Sequence, residues 1–148
     1  MLEAGQPFPA FSLPDQDGKT WTNADLAGEP TIVYFYPKDD TSGCTAEACE
    51  FRDLLPKFTG TRVIGVSPDS VKSHRKFVDK FALTFTLLAD EGHTLADACG
   101  VWVEKSMYGK KYMGVERTTF LVGADGKVTK VWNKVKPQGH AEEVLAAI

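Results

Sequence analysis

Thr31–Asp53 reads TIVYFYPKDDTSGCTAEACEFRD. Its first six residues, Thr31 to Tyr36, are β-branched or aromatic and carry no charge. A run of that kind fits a strand buried on both faces within a mostly parallel sheet. Pro37 ends it, because proline has no N–H to give to a sheet ladder. Lys38 to Ser42 are polar and form a short loop, in which Thr41 or Ser42 is placed to cap a following helix. The helix is predicted from about Gly43 to Leu55, with Phe51, Leu54 and Leu55 toward the core. Cys44 then falls in its first turn.

A helix N-terminus carries about half a positive charge and several N–H groups without partners, so it favours an anion. A cysteine placed there ionises more readily than a free thiol, and the thiolate is the reactive form. The plainer alternative is a small buried apolar residue. The strand–loop–helix context favours the reactive thiol. Cys49 follows five residues later. In an intact α-helix that offset puts the two Cα atoms about 8.7 Å apart. A disulfide needs about 4.4–6.8 Å, so the two sulfurs bond only if the helix locally unwinds. A permanent structural disulfide is therefore not expected, whereas a transient one stays open. Spacing alone also allows Cys49 to be an inert residue on the helix flank.

Outward from this segment, 148 residues suffice for one domain, residues 1–148, with a real core. The chain is 43% apolar and 25% charged, ordinary for a water-soluble domain. A net charge of −3 argues against a nucleic-acid partner, which needs a basic surface. No apolar run approaches the roughly 18 residues of a membrane span. The start, MLEAGQPFPAF, shows no basic region followed by an apolar core, so no secretory signal is expected. Three cysteines suit a reducing compartment, and the expected location is cytoplasmic.

Before the central strand, Phe8–Leu13 and Lys19–Thr22 flank the turn Asp15–Gly18 and read as a β-hairpin. Asn23 caps a short helical turn through Leu26. After the Cys44 helix come a second parallel strand (Arg62–Val66) and a helix (Val71–Phe81), whose Lys72, Arg75, Lys76 and Lys80 make a solvated basic face. A short strand (Phe85–Leu88) and a helix (His93–Cys99) follow. Val101–Gly114 is polar and broken by glycines, and reads as a long loop or edge excursion. Thr118–Val122 and Val128–Trp132 form a hairpin, and Gly139–Ile148 a closing helix. The order predicts an α/β protein with a central mixed β-sheet flanked by helices on both faces.

Pro37-x-x-x-Thr41-x-x-Cys44 resembles the active-site signature of the peroxiredoxins. YFYPKDDTSGCTAEAC resembles their Q-type branch, the bacterioferritin comigratory proteins. GQPFPAFSLPDQDGK, HTLADACGVW and YMGVERTTFLVGADGKV match the same branch in style and order, so the likeness covers nearly the whole chain. Several matching motifs in one short chain make it highly specific.

The resemblance implies a thioredoxin-like fold and a thiol peroxidase that reduces hydrogen peroxide and organic hydroperoxides. It makes Cys44 the peroxidatic nucleophile, oxidised to a sulfenic acid, and Cys49 the resolving cysteine within the same helix. Thr41 would hydrogen-bond the thiolate or the peroxide, with a plain helix cap as its other reading. Pro37 would shield the pocket, its other reading being strand termination. Arg117 would hold the thiolate and polarise the substrate; without the resemblance it reads as a surface arginine at a strand entrance. Glu47 would orient Arg117, or else be a solvated helix residue. The implied reductant is thioredoxin or a similar dithiol, with no cofactor and no membrane partner, and a monomer is expected. Cys99 reads as a buried free thiol. His74, His93 and His140 lie scattered on polar stretches with no metal-ligand spacing, and Cys44 with Cys49 falls short of a structural zinc set.

Two other readings stay open. A thiol–disulfide oxidoreductase on the same fold would normally carry Cys-x-x-Cys rather than the Cys-x4-Cys found here. A redox sensor would use the same two cysteines as a switch without turnover.

Overall fold

The computed structural model describes residues 1–148. In chain order it contains β1 (Ser12–Pro14), β2 (Thr20–Thr22), α1 (Asn23–Leu26), β3 (Thr31–Phe35) and α2 (Ser42–Leu54). A 3₁₀ turn (Leu55–Lys57), β4 (Arg62–Ser67), α3 (Val71–Phe81), β5 (Thr86–Ala89) and α4 (Thr94–Ala98) follow. The chain continues through β6 (Trp102–Met107), β7 (Lys110–Val115), β8 (Thr118–Val122) and β9 (Val128–Trp132) to α5 (His140–Ala146). The central sheet has the order β5-β4-β3-β8-β9. Strands β5, β4 and β3 run parallel, and β8 and β9 antiparallel, so the sheet is mixed.

β3 is in the middle, and every one of its residues is buried. Its side chains alternate between the two faces, as a period of two requires. Val33 and Phe35 enter one apolar cluster with Phe8, Leu13, Leu26, Leu95 and Phe120. Ile32 and Tyr34 enter the other, with Cys44, Phe51, Phe77 and Val144. Helices α2, α3 and α5 thus cover one face; α1, α4 and the N-terminal segment cover the other. Tyr34 stacks on Phe51 with ring centroids 4.8 Å apart, which docks α2 onto the sheet. Gly65 on β4 makes room for this ring, since a Cβ there would lie 2.9 Å from Tyr34 Cζ.

The N-terminal hairpin is shorter than expected, pairing only Ser12–Pro14 with Thr20–Thr22. The Cys44 helix stops at Leu54, just before Pro56, where the chain tightens into the 3₁₀ turn. The larger correction concerns 101–114, expected as a loop or edge excursion. It is a regular hairpin, paired from Trp102↔Val115 to Met107↔Lys110. Tyr108 and Gly109 both have positive φ, as a two-residue hairpin turn of type I′ requires. Both strands are largely exposed, so burial imposes no apolar alternation on them, and the period that marks a strand is missing.

Candidate active site

β3 ends at Phe35, the Tyr36 N–H still bonds the Val66 carbonyl, and Pro37 follows, half-buried. The loop then turns into α2, whose first intrahelical bond runs from the Thr45 N–H to the Thr41 carbonyl. The amides of Ser42, Gly43 and Cys44 therefore have no acceptor within the helix. Thr41 occupies the N-cap position, but its hydroxyl makes no cap bond. It donates instead to the Lys38 carbonyl at 3.0 Å and stays exposed. Cys44 is the third helical residue and is buried, its free thiol turned into the cluster beneath α2.

Arg117 comes from the far side of the sequence. Antiparallel pairing sets Thr118 opposite Phe35, so the residue before β8 emerges at the end of the sheet where α2 begins. The Arg117 Nη2 donates to the Cys44 sulfur at 3.3 Å, and its Nη1 to Glu47 Oε1 at 2.8 Å. Burial alone would lower its pKa, but Glu47 and then Cys44 outweigh that and raise it. Gly43 permits the approach: a Cβ there would lie 3.2 Å from Arg117 Nη2 and 3.3 Å from Pro137 Cγ.

Glu47 is not a solvated helix residue. It is completely buried, and its second oxygen has no hydrogen-bond partner. Burial drives its pKa upward, the Arg117 charge and hydrogen bond pull it back, and the balance stands at about 7. Tyr34, also buried, has an unpartnered hydroxyl, and burial followed by the Glu47 and Cys44 charges keeps it protonated. Lys105 of β6 is held below the usual lysine range by burial and then by the Arg117 charge. The expectation of a loop at 101–114 hid this second basic side chain near the site.

Cys49 lies further along the intact α2, partly buried, as a free thiol. Cys99 sits in the cluster on the opposite face of the sheet. Burial and then the Asp90 charge push its thiol up to about 12. Two of the three histidines, His74 and His140, are buried. His140 meets the Thr119 hydroxyl at 2.7 Å, and burial lowers its pKa. Asp39, Asp69 and His74 present possible metal-ligand atoms within 4.8 Å of one another. Those atoms already hydrogen-bond to one another and to neighbouring hydroxyls, which accounts for the cluster without an ion.

The arrangement is a buried free thiol in the first turn of a helix, beside amides that lack intrahelical acceptors, with a guanidinium held 3.3 Å from its sulfur. Residues 4–131 match the model of the AhpC/TSA family. The chain belongs to the AhpC/TSA family. Peroxiredoxin Bcp of Bacillus subtilis is 46% identical over 149 residues, covering 99% of this chain and 95% of the relative. Peroxiredoxin Bcp of Escherichia coli is 45% identical, covering 97% and 94%. Among solved structures, the Xanthomonas campestris bacterioferritin comigratory protein, studied for its alkyl peroxide reduction activity, superposes with a TM-score of 0.91. It is 44% identical and covers 98% of this chain and 96% of that one. A cysteine-to-serine mutant of Xylella fastidiosa PrxQ superposes with a TM-score of 0.94 at 38% identity, covering 99% and 95%. The fold is accordingly the thioredoxin-like fold of peroxiredoxins, and the protein is a peroxidase that uses a thiol. No helix is long and apolar enough to cross a membrane.

Proposed function

We propose that Cys44 is the peroxidatic cysteine and Cys49 the resolving cysteine of a two-cysteine cycle. The observation that carries this reading is the Arg117 guanidinium 3.3 Å from the Cys44 sulfur. In the first step the Cys44 thiolate attacks one peroxide oxygen and the O–O bond breaks. Sulfur loses two electrons and becomes a sulfenic acid, and the other oxygen leaves, protonated, as water or an alcohol. Arg117 and the free amides at the start of α2 stand where negative charge develops on the peroxide oxygens, the arrangement that lowers such a barrier. Glu47 anchors the other arm of Arg117 and so fixes its plane. Pro37 and Thr41 close the approach to the sulfur, the Thr41 hydroxyl keeping its lone pairs free to accept from a hydroperoxide.

In the second step the Cys49 thiol attacks the Cys44 sulfur, a disulfide forms and water leaves. The intact α2 holds the two Cα atoms about 8.7 Å apart, so this step requires the first turns of the helix to unwind. A dithiol of the thioredoxin kind then returns both cysteines to thiols by two exchanges and becomes a disulfide itself. Hydrogen peroxide and small organic hydroperoxides are the substrates in this reading, the latter by likeness to the Xanthomonas protein.

The test is one equivalent of hydrogen peroxide added to the reduced protein, followed by disulfide mapping through peptide mass spectrometry. A Cys44–Cys49 bond is expected. A lasting sulfenic acid on Cys44 with Cys49 still free would refute the two-cysteine cycle.

A further inference from the structure

The loop that delivers Cys44 is tied down by a buried polar network on its upstream side. The side chains of Asp39 and His74 are 4% and 0% exposed. His74 Nδ1 lies 2.7 Å from Asp39 Oδ2, and its Nε2 lies 2.9 Å from the Leu88 carbonyl, which can only accept. The Ser73 hydroxyl donates to Asp39 Oδ2 at 2.8 Å, and the Tyr36 hydroxyl to Oδ1 at 2.6 Å. The Asp39 N–H donates to Asp69 Oδ2 at 2.8 Å, and the Ser67 hydroxyl holds that same oxygen at 2.6 Å. Backbone and side chain of one loop residue are thus clamped to β4, β5 and the first turn of α3. Asp40, at positive φ, adds an exposed contact to Lys80 at 2.8 Å.

Downstream the situation reverses. Thr41 and Ser42 are exposed, and no side chain caps α2. The chain therefore passes at Asp39 from a fully bonded anchor to a helix end that is free to open. Buried polar networks of this kind often add little stability over apolar packing, which leaves the holding of a geometry as the use this one can serve.

We propose that Asp39 and His74 are positioning residues of the peroxidase. They hold the chain before α2 so that the Cys44 turn seats against Arg117, and they confine unwinding to the residues that follow. This rests on the reading of Cys44 as the peroxidatic residue.

The experiment follows both chemical steps in one time course. Reduced wild type, Asp39→Asn, His74→Leu and Ser73→Ala are mixed with hydrogen peroxide and quenched at intervals with a sulfenic-acid trap and a thiol-blocking reagent. Peptide mass spectrometry then counts Cys44 sulfenic acid and the Cys44–Cys49 disulfide. Asp39→Asn and His74→Leu are expected to slow Cys44 oxidation about tenfold or more, because misplacement of a reacting atom is costly. Disulfide formation from the sulfenic acid should proceed at the wild-type rate or faster. Ser73→Ala removes one donor only and should slow oxidation about threefold, keeping the test readable if His74→Leu does not fold. Unchanged oxidation in Asp39→Asn and Ser73→Ala, or equal slowing of both steps, would overturn the proposal. If wild-type Cys44 itself is not oxidised, it is the peroxidatic reading that fails, and the variants are not needed to see it.

Discussion

Arg117 Nη2 lies 3.3 Å from the Cys44 sulfur across 73 residues of chain. The contact exists because β8 runs antiparallel to β3 in a register that sets Thr118 beside Phe35. With Glu47 on its other arm, the guanidinium is fixed in position and plane before any substrate arrives. In the proposed cycle this fixed donor supplies preorganised stabilisation of the charge that develops on the peroxide.

Replacing Arg117 by lysine keeps a charge but loses the fork that joins sulfur and carboxylate. The expected result is a fall of about 100-fold in kcat/KM for hydrogen peroxide, read by stopped-flow peroxide consumption. A change of less than about threefold would remove Arg117 from the mechanism.

The two cysteines separate by kinetics. Cys44→Ser should consume no peroxide. Cys49→Ser should consume one equivalent and then stop in the presence of thioredoxin, its reductase and NADPH. Sustained thioredoxin-driven turnover in Cys49→Ser would assign resolution to another thiol. Oxidised wild type should also lose far-UV helical signal, in proportion to the opened turns of α2.

Glu47 predicts a pH dependence of stability. Its folded pKa stands at about 7, above the ordinary 4.5, so the folded chain binds more protons than the unfolded one between those values. Stability from this group is greatest below about pH 4.5 and is lost as pH rises toward 7, by about 3 kcal/mol. Glu47→Gln cannot titrate. Urea unfolding at pH 4.5 and 7.5 should show the wild type losing more stability than the variant across that interval. An equal change in both proteins would mean that Glu47 ionises in the folded chain as it does in the unfolded one.

Gly43→Ala tests the close approach. The added methyl would meet Arg117 Nη2 at 3.2 Å and Pro137 Cγ at 3.3 Å, so one of them must give way. Peroxide reduction should fall by about tenfold while stability, helped by alanine in a helix, falls little or rises. Full activity would show that Pro137 moves and Arg117 does not.

Much of this protein is determined locally. The uncharged run Thr31–Phe35, the proline after it and the polar loop make a strand end and a helix start whatever lies elsewhere. That placement puts Cys44 at a helix N-terminus by sequence alone. The same locality makes the five-residue spacing of Cys44 and Cys49 incompatible with a disulfide in an intact helix. The hairpin 102–115 escaped because its exposed strands owe their pairing to cross-strand contacts and turn geometry, which leave no apolar period.

What only the tertiary structure decided is the state of the charged groups. Glu47, Asp39 and His74 sit among polar residues in sequence, and nothing local marks them as buried. Sheet register and helix packing bury each of them against a partner 35 or more positions away. A carboxylate or imidazole behaves according to its solvent and its nearest charge, and both are properties of the folded neighbourhood.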